Sequence, residues 1–255
     1  MSDSRHLYPD GSVWIRTEPI TFLHDSATAR HSHRWHQLTY ALRGHLEVDT
    51  DDVQALVPPK CAVWVPAGVR HRERMYAPVA VRTLYVAPGV RDAAHTVTVQ
   101  VSPLLRELIV RACSYGSLDH EVSREARLTD VLLDELDDAP RASLHLPLPR
   151  DERARRLVDL IRADPANRSS VAELASRAGA SVRTLERCFR REAGVGIGEW
   201  RRRLRLMVSL RLLESGAPVS VVAGDVGYAT ASAFTAAFTS YYGAPPTEHL
   251  RSHSH

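Results

Sequence analysis

Lysine is nearly missing from this chain. Of its 33 basic residues only Lys60 is a lysine, a bias that fits either a GC-rich genome or a use for guanidinium forks. Cysteine is scarce as well. Cys61, Cys113 and Cys188 are odd in number and far apart, which excludes a disulfide framework and a CxxC metal site. They read as three small, partly buried hydrophobes. No apolar run approaches the ~20 residues of a membrane span. Met1 to Asp10 is polar and lacks the apolar core of a signal peptide. The expected compartment is the cytoplasm, with no membrane partner.

What is present is enough for two modest domains: 255 residues, 44% hydrophobic and 25% charged. The net charge of +3 hides an asymmetry. Residues 101–149 hold 5 basic and 9 acidic groups, whereas residues 150–255 hold 17 and 11. The positive excess sits at the C-terminal end, as a phosphate-bearing partner requires.

Residues 12–95 read as a barrel or sandwich of short strands. Candidate strands are Gln37 to Leu42, His45 to Asp49, Val53 to Val57, Ala62 to Val65 and Val79 to Val86. Turn signals separate them, among them Arg43-Gly44, Asp51-Asp52 and Pro58-Pro59. From 101 to 140 the period becomes helical. Leu104, Leu105, Leu108 and Ile109 form one apolar stripe, and Leu128, Val131, Leu132 and Leu136 another. More apolar face than a barrel flank needs predicts a homodimer through these helices. Arg141 to Pro149 is the expected linker, and residues 150–252 read as all helix.

Two helix–turn–helix patterns occupy that last part. Ser170 with Glu173 is a capping box. Gly179 breaks the first helix, and Ser181 caps a second running from Val182 to Arg191. Val182, Leu185, Cys188 and Phe189 are expected inside; Arg183, Glu186, Arg187 and Arg190 face out. Val219 to Val226, Gly227 and a helix opened by Thr230 or Ser232 repeat the scheme, with Phe234, Phe238 and Tyr241 buried. Between the two units Ile197 to Glu214 is expected as one amphipathic helix of ~27 Å, its Arg201, Arg202, Arg203 and Arg205 a solvated face with some phosphate contact rather than base readers.

The runs VAELASRAGASVRTLERCFRREAG, RLRLMVSLRLLESGAPVSVVAGDVGY and SAFTAAFTSYYGAPPTEHLR resemble the AraC/XylS family of DNA-binding transcription regulators. The resemblance implies double-stranded DNA as partner, with RNA polymerase as a further partner. It also implies an N-terminal sensor answering to a small molecule or metal, and no enzymatic activity. Arg183, Glu186 and Arg187 match the family's base readers. Ser181, Thr184 and Arg190 complete the expected DNA-binding set of the first unit; Thr230, Ser232, Thr235 and Ala236 form that of the second. The second recognition helix carries no lysine or arginine from Thr230 to Thr239, so sequence reading is expected mainly from the first.

His31, His33, Gly44, Pro66, Gly68 and His71 resemble the two cupin motifs, with Gln37 where a glutamate is usual. The fold class is therefore α+β, a cupin-like jelly-roll barrel followed by an all-α domain. On a strand, His31 and His33 point to one face; with His71, and Gln37 as a weak fourth donor, they suit zinc, iron, nickel or copper. Without a metal, the same cavity is expected to hold an organic effector against Tyr40 and Trp64. His36 should point away. The rival function is a metal-dependent cupin dioxygenase or isomerase carrying a DNA-binding domain; its candidate acids, Glu47 and Glu73, are expected on the strand surface.

Overall fold

The computed structural model describes residues 11–91, 94–142 and 144–253; Met1 to Asp10 lie outside the described residues. The chain forms two compact units, 1–145 and 146–255. The first is a curled antiparallel sheet, the second all helix.

At the centre of the sheet lies β6 (His71–Val86), flanked by β1 (Val13–Phe22) and β3 (His36–Thr50). β3 pairs in turn with β5 (Cys61–Val65) and with β4 (Val53–Val57). β7 (Val97–Gln100) edges β5, β8 (Ser117–Asp119) edges β1, and the short β2 (Ser26–Ala27) lies against β6. The Arg43-Gly44 turn expected from the sequence is instead a bulge inside β3, where the register with β6 shifts. Before it, Gln37, Thr39 and Ala41 share the interior face; after it, Leu46 and Val48 do. One extra residue exchanges odd for even and keeps the face continuous. The bulge needs Gly44: its φ is +69, and a Cβ there would lie 2.5 Å from the Pro78 carbonyl oxygen.

The opposite face of the sheet is roofed by α1 (Pro103–Cys113) and α2 (Ser123–Asp137). Leu105, Ile109 and Ala112 of α1 and Leu132 and Leu136 of α2 share one core with Leu38, Trp64 and Leu84 of the strands. These helices are thus not a region apart from the barrel, as the 101–140 division expected. Burying each such side chain contributes roughly 1.5–3 kcal/mol. Leu104 and Val131 stay outside that core, 51% and 44% exposed.

In the second unit, α3 (Glu152–Ala163) is capped by Asp151, whose side chain accepts from Arg153 N and Ala154 N. α4 (Val171–Arg177) opens with the expected capping box of Ser170 and Glu173. α5 (Val182–Cys188) passes into a π-helical turn, Phe189–Ala193. α6 (Ile197–Glu214) is followed by α7 (Val219–Asp225), α8 (Ala231–Tyr242) and α9 (Pro246–His253). α6 is not amphipathic in the ordinary sense. Ile197, Trp200 and Leu204 are buried in its first half, and Leu206, Ser209, Leu210 and Leu213 in its second. At 100° per residue these sets face opposite ways, so one helix serves as core for both helix–turn–helix units. Trp200 meets Phe189 edge-on at 6.0 Å and donates to the Pro147 carbonyl at 2.9 Å. The expected linker is therefore docked: Pro147 on α6, and Ala142, buried, in the interior core of the sheet. Among the described residues no helix is long and apolar enough to cross a membrane.

Candidate functional site: a histidine cluster and two reading helices

His31, His33 and His71 converge, with one ring nitrogen from each within 4.8 Å of the others. Strand parity is not what joins the first two. His31 forms an isolated bridge to His71, N to O at 2.9 and 2.8 Å, and His33 lies in the following loop. Gly68 N donates to the His33 carbonyl at 2.8 Å, which ties that loop to the Pro66–Gly68 turn.

Every Nδ1 in the cluster faces a backbone carbonyl: Ala29 O for His31 at 2.9 Å, Trp35 O for His33 at 2.6 Å, Val69 O for His71 at 2.9 Å. A carbonyl only accepts, so each Nδ1 holds the proton and a neutral ring keeps its lone pair on Nε2. Burial favours the neutral form, lowering His71 to about 4 and His33 below the ordinary histidine range. Gln37 is fully buried. Its Nε2 donates to Thr39 Oγ1 at 2.8 Å and Glu73 Oε1 at 2.7 Å. That turns its Oε1 towards His33 Nε2 at 2.6 Å and His71 Nε2 at 3.1 Å. Lone pairs therefore face one another across the cluster, an arrangement that a cation relieves. The donor set fits a divalent transition metal, with backbone carbonyls and Glu73 as the orienting partners such sites use.

Glu73 is thus not a surface residue. Its carboxylate also accepts from Thr39 Oγ1 at 2.9 Å, and burial raises its pKa. Glu47 lies on the other face of β3, buried, and accepts from the Tyr76 hydroxyl at 3.1 Å. Tyr85, which pairs with Gln37 across β3 and β6, packs edge-on against His33 at 5.4 Å. Sequence reading missed the roles of Thr39, Glu73 and Tyr85; the strand register, had it been known, would have found them.

Tyr40 and Trp64 do not line this cluster. Leu38, Trp64 and Leu84 lie side by side on the helix-covered face, whereas Gln37, Val65 and Tyr85 lie on the interior one. Tyr40 shares the parity of Leu38 and is buried in the same core. One residue along a strand reverses the face, so the expected effector wall of Tyr40 and Trp64 is corrected to packed core beneath α1 and α2. His36 shares that parity, stacks on Trp64 at 5.2 Å, and accepts from Ala67 N at 3.1 Å.

In the reading half, Ser181 caps α5, accepting from Thr184 N at 3.2 Å and touching Thr184 Oγ1 at 2.9 Å. Arg183, Arg187 and Arg190 are exposed on α5 and the turn after it, while Leu185, Cys188 and Phe189 are buried. Val182, expected inside, is 37% exposed. Glu186 is half-buried and paired with Arg190 at 3.5 Å. On α8, Thr230 is the cap, accepting from Ala233 N at 3.1 Å. Ser232 and Ala236 are exposed, and Thr235 is half-buried, its carbonyl accepting from Thr239 Oγ1 at 2.8 Å. Phe234 and Phe238 are buried, Tyr241 only partly. Arg201 and Arg205 are no solvated face: Arg201 donates to the Ser169 carbonyl, and Arg205 to those of Pro165 and Asn167, at 2.7–2.8 Å.

Comparison with known proteins finds a helix-turn-helix domain over residues 174–252 and a cupin domain over residues 20–86. The chain is similar to the HTH-type transcriptional regulator NimR of Escherichia coli K12, 31% identical over 221 residues, which are 86% of this chain and 81% of that one. It is also similar to the HTH-type transcriptional regulator RipA of Corynebacterium glutamicum, 39% identical over 101 residues, 40% of this chain and 30% of that one. Among solved structures, ToxT from Vibrio cholerae overlays 95% of this chain at 10% identity and a TM-score of 0.43.

Proposed function

Because the chain belongs to the AraC/XylS family of DNA-binding transcription regulators, we propose that a divalent metal held by His31, His33, His71 and Gln37 sets how its reading half engages DNA. One observation carries the proposal: one ring nitrogen each of His31, His33 and His71 lies within 4.8 Å of the others, and Gln37 Oε1 lies 2.6 and 3.1 Å from the Nε2 atoms of His33 and His71. When bound, the ion supplies a Lewis-acid centre for an oxygen-bearing effector. Glu73 stands behind the Gln37 amide, so its part is to orient a ligand. That favours a sensor over the rival oxygenase or isomerase.

The experiment is elemental analysis of untagged protein, wild type against His71→Ala. About one equivalent of metal is expected in the wild type and a large loss in the variant. Equal, negligible metal in both, with no thermal stabilisation by zinc, iron, nickel or copper, excludes the metal reading. Arg183 and Arg187 are the proposed base readers, on the most exposed basic face of α5. The exposed Leu104 and Val131 are the proposed centre of a homodimer contact, which sedimentation at micromolar concentration tests: a clean monomer with and without DNA rules it out.

A further inference from the structure

Four arginines line one pocket of the reading half. Arg168, before α4, and Arg201, Arg202 and Arg205, on α6, line an open groove of about 380 Å³ together with Gly227 and Tyr228. The turn before α8 brings Gly227 against Arg205. A Cβ at Gly227 would lie 2.7 Å from Arg205 Nη2 and 2.8 Å from the Ala166 carbonyl oxygen, so only glycine lets the guanidinium pass.

The lining is mostly positive, with Asp164 close enough to act on Arg201 and Arg205. Arg202 shares Glu199 with Arg203, at 2.7 and 2.8 Å. Arg201 and Arg205 are bonded to backbone carbonyls, which orient a guanidinium without neutralising it. Burial lowers the pKa of both, and the charge of Arg201 lowers Arg205 further. Arg201 Nε and the Tyr228 hydroxyl are buried without an acceptor beside the pocket. Tyr228 leads directly to Thr230, the cap of α8, and α8 carries no lysine or arginine up to Thr239.

We propose that this pocket seats a backbone phosphate of the bound duplex, so that α6 and the segment before α4 supply the positive charge that the second recognition helix lacks. The proposal rests on the DNA-reading function stated above. Guanidinium forks bind phosphate oxygens in pairs. Such a contact fixes register on the duplex and carries no sequence information itself.

The test measures binding of the full chain to a mixed-sequence duplex as salt is varied. Arg168→Gln and Arg202→Gln remove charge without cutting a tie to a backbone carbonyl. Each is expected to weaken binding by a similar factor on every duplex and to reduce the salt slope by about one. Glu199→Gln frees Arg202 and Arg203 and is expected to strengthen binding, a sign that a merely structural role would not produce. Replacing chloride by inorganic phosphate at constant ionic strength should weaken wild-type binding more than that of Arg168→Gln. Unchanged slopes in both arginine variants would overturn the proposal. So would stabilisation of the DNA-free chain by phosphate without any change in slope, which assigns the pocket to a free anion. A wild type that binds no duplex removes the DNA-reading function itself, and the seat with it.

Discussion

The two reading units are built alike and equipped differently. In each, a short helix, a glycine turn and a side-chain-capped second helix present a face to the outside. α5 presents Arg183 and Arg187 there, beside an ion pair between Glu186 and Arg190. α8 presents Ser232 and Ala236, and its investment is inward. Phe234 packs on Phe238 at 5.6 Å, and Phe238 on Tyr242 at 4.5 Å. The two faces thus differ in chemistry within one domain, and we propose that reading and holding are divided between them. On the proposal above the first unit discriminates bases, because an arginine can grip guanine with two bonds and an alanine cannot. On the same proposal the second holds α6 and the duplex in place.

This contrast can be broken or sharpened in a series of measurements. Phe238→Ala should have the largest effect, costing about 3–5 kcal/mol of stability by leaving a cavity between α8 and its neighbours. Denaturant unfolding monitored in the helical signal reads it, and a loss below ~1 kcal/mol would show that α8 is not an anchoring helix. Next, Arg187→Ala should cost ~1–3 kcal/mol of binding to a genomic site, with relaxed preference at particular bases, whereas Ser232→Ala should stay within about 0.5 kcal/mol. Equal losses from the two would erase the division of labour. The caps should behave as twins: Ser181→Ala and Thr230→Ala are each expected to lose about 1 kcal/mol of stability. A clear inequality would show that one helix leans on its cap more than the other. The smallest effect is a gain. Ala236→Lys should steepen the salt slope on any duplex by about one and leave base preference unaltered, and an altered preference would mean that α8 already reads bases.

Local chemistry made much of this legible before any coordinates. Ser170 with Glu173 announced α4, and the ends of α6 fall at Ile197 and Glu214 as the periodicity predicts. The three cupin-motif histidines do meet. What escaped was whatever depends on pairing across the chain. The Arg43-Gly44 dipeptide has the composition of a turn, yet β6 pairs along both sides of it and makes it a bulge. Tyr40 and Trp64 look like pocket aromatics, but their register assigns them to the helix-covered face. The orientation of Gln37 is set by Glu73, 36 positions away, and no local pattern encodes it. Arg201 and Arg205 read as solvated charge because carbonyl acceptors have no sequence signature.

The single lysine gains practical meaning from where it sits. Lys60 is exposed in the turn between β4 and β5, with φ +68, the only non-glycine residue of positive φ among the described residues. Its carbonyl accepts from Val101 N at 2.7 Å, next to the Ser102 cap of α1. Of all the side chains, an amine-reactive dye can couple to this one alone. The chain thus carries a ready-made labelling handle where the sheet meets its helical roof. Fluorescence from that position would report movement between the sheet and α1 without any engineered cysteine.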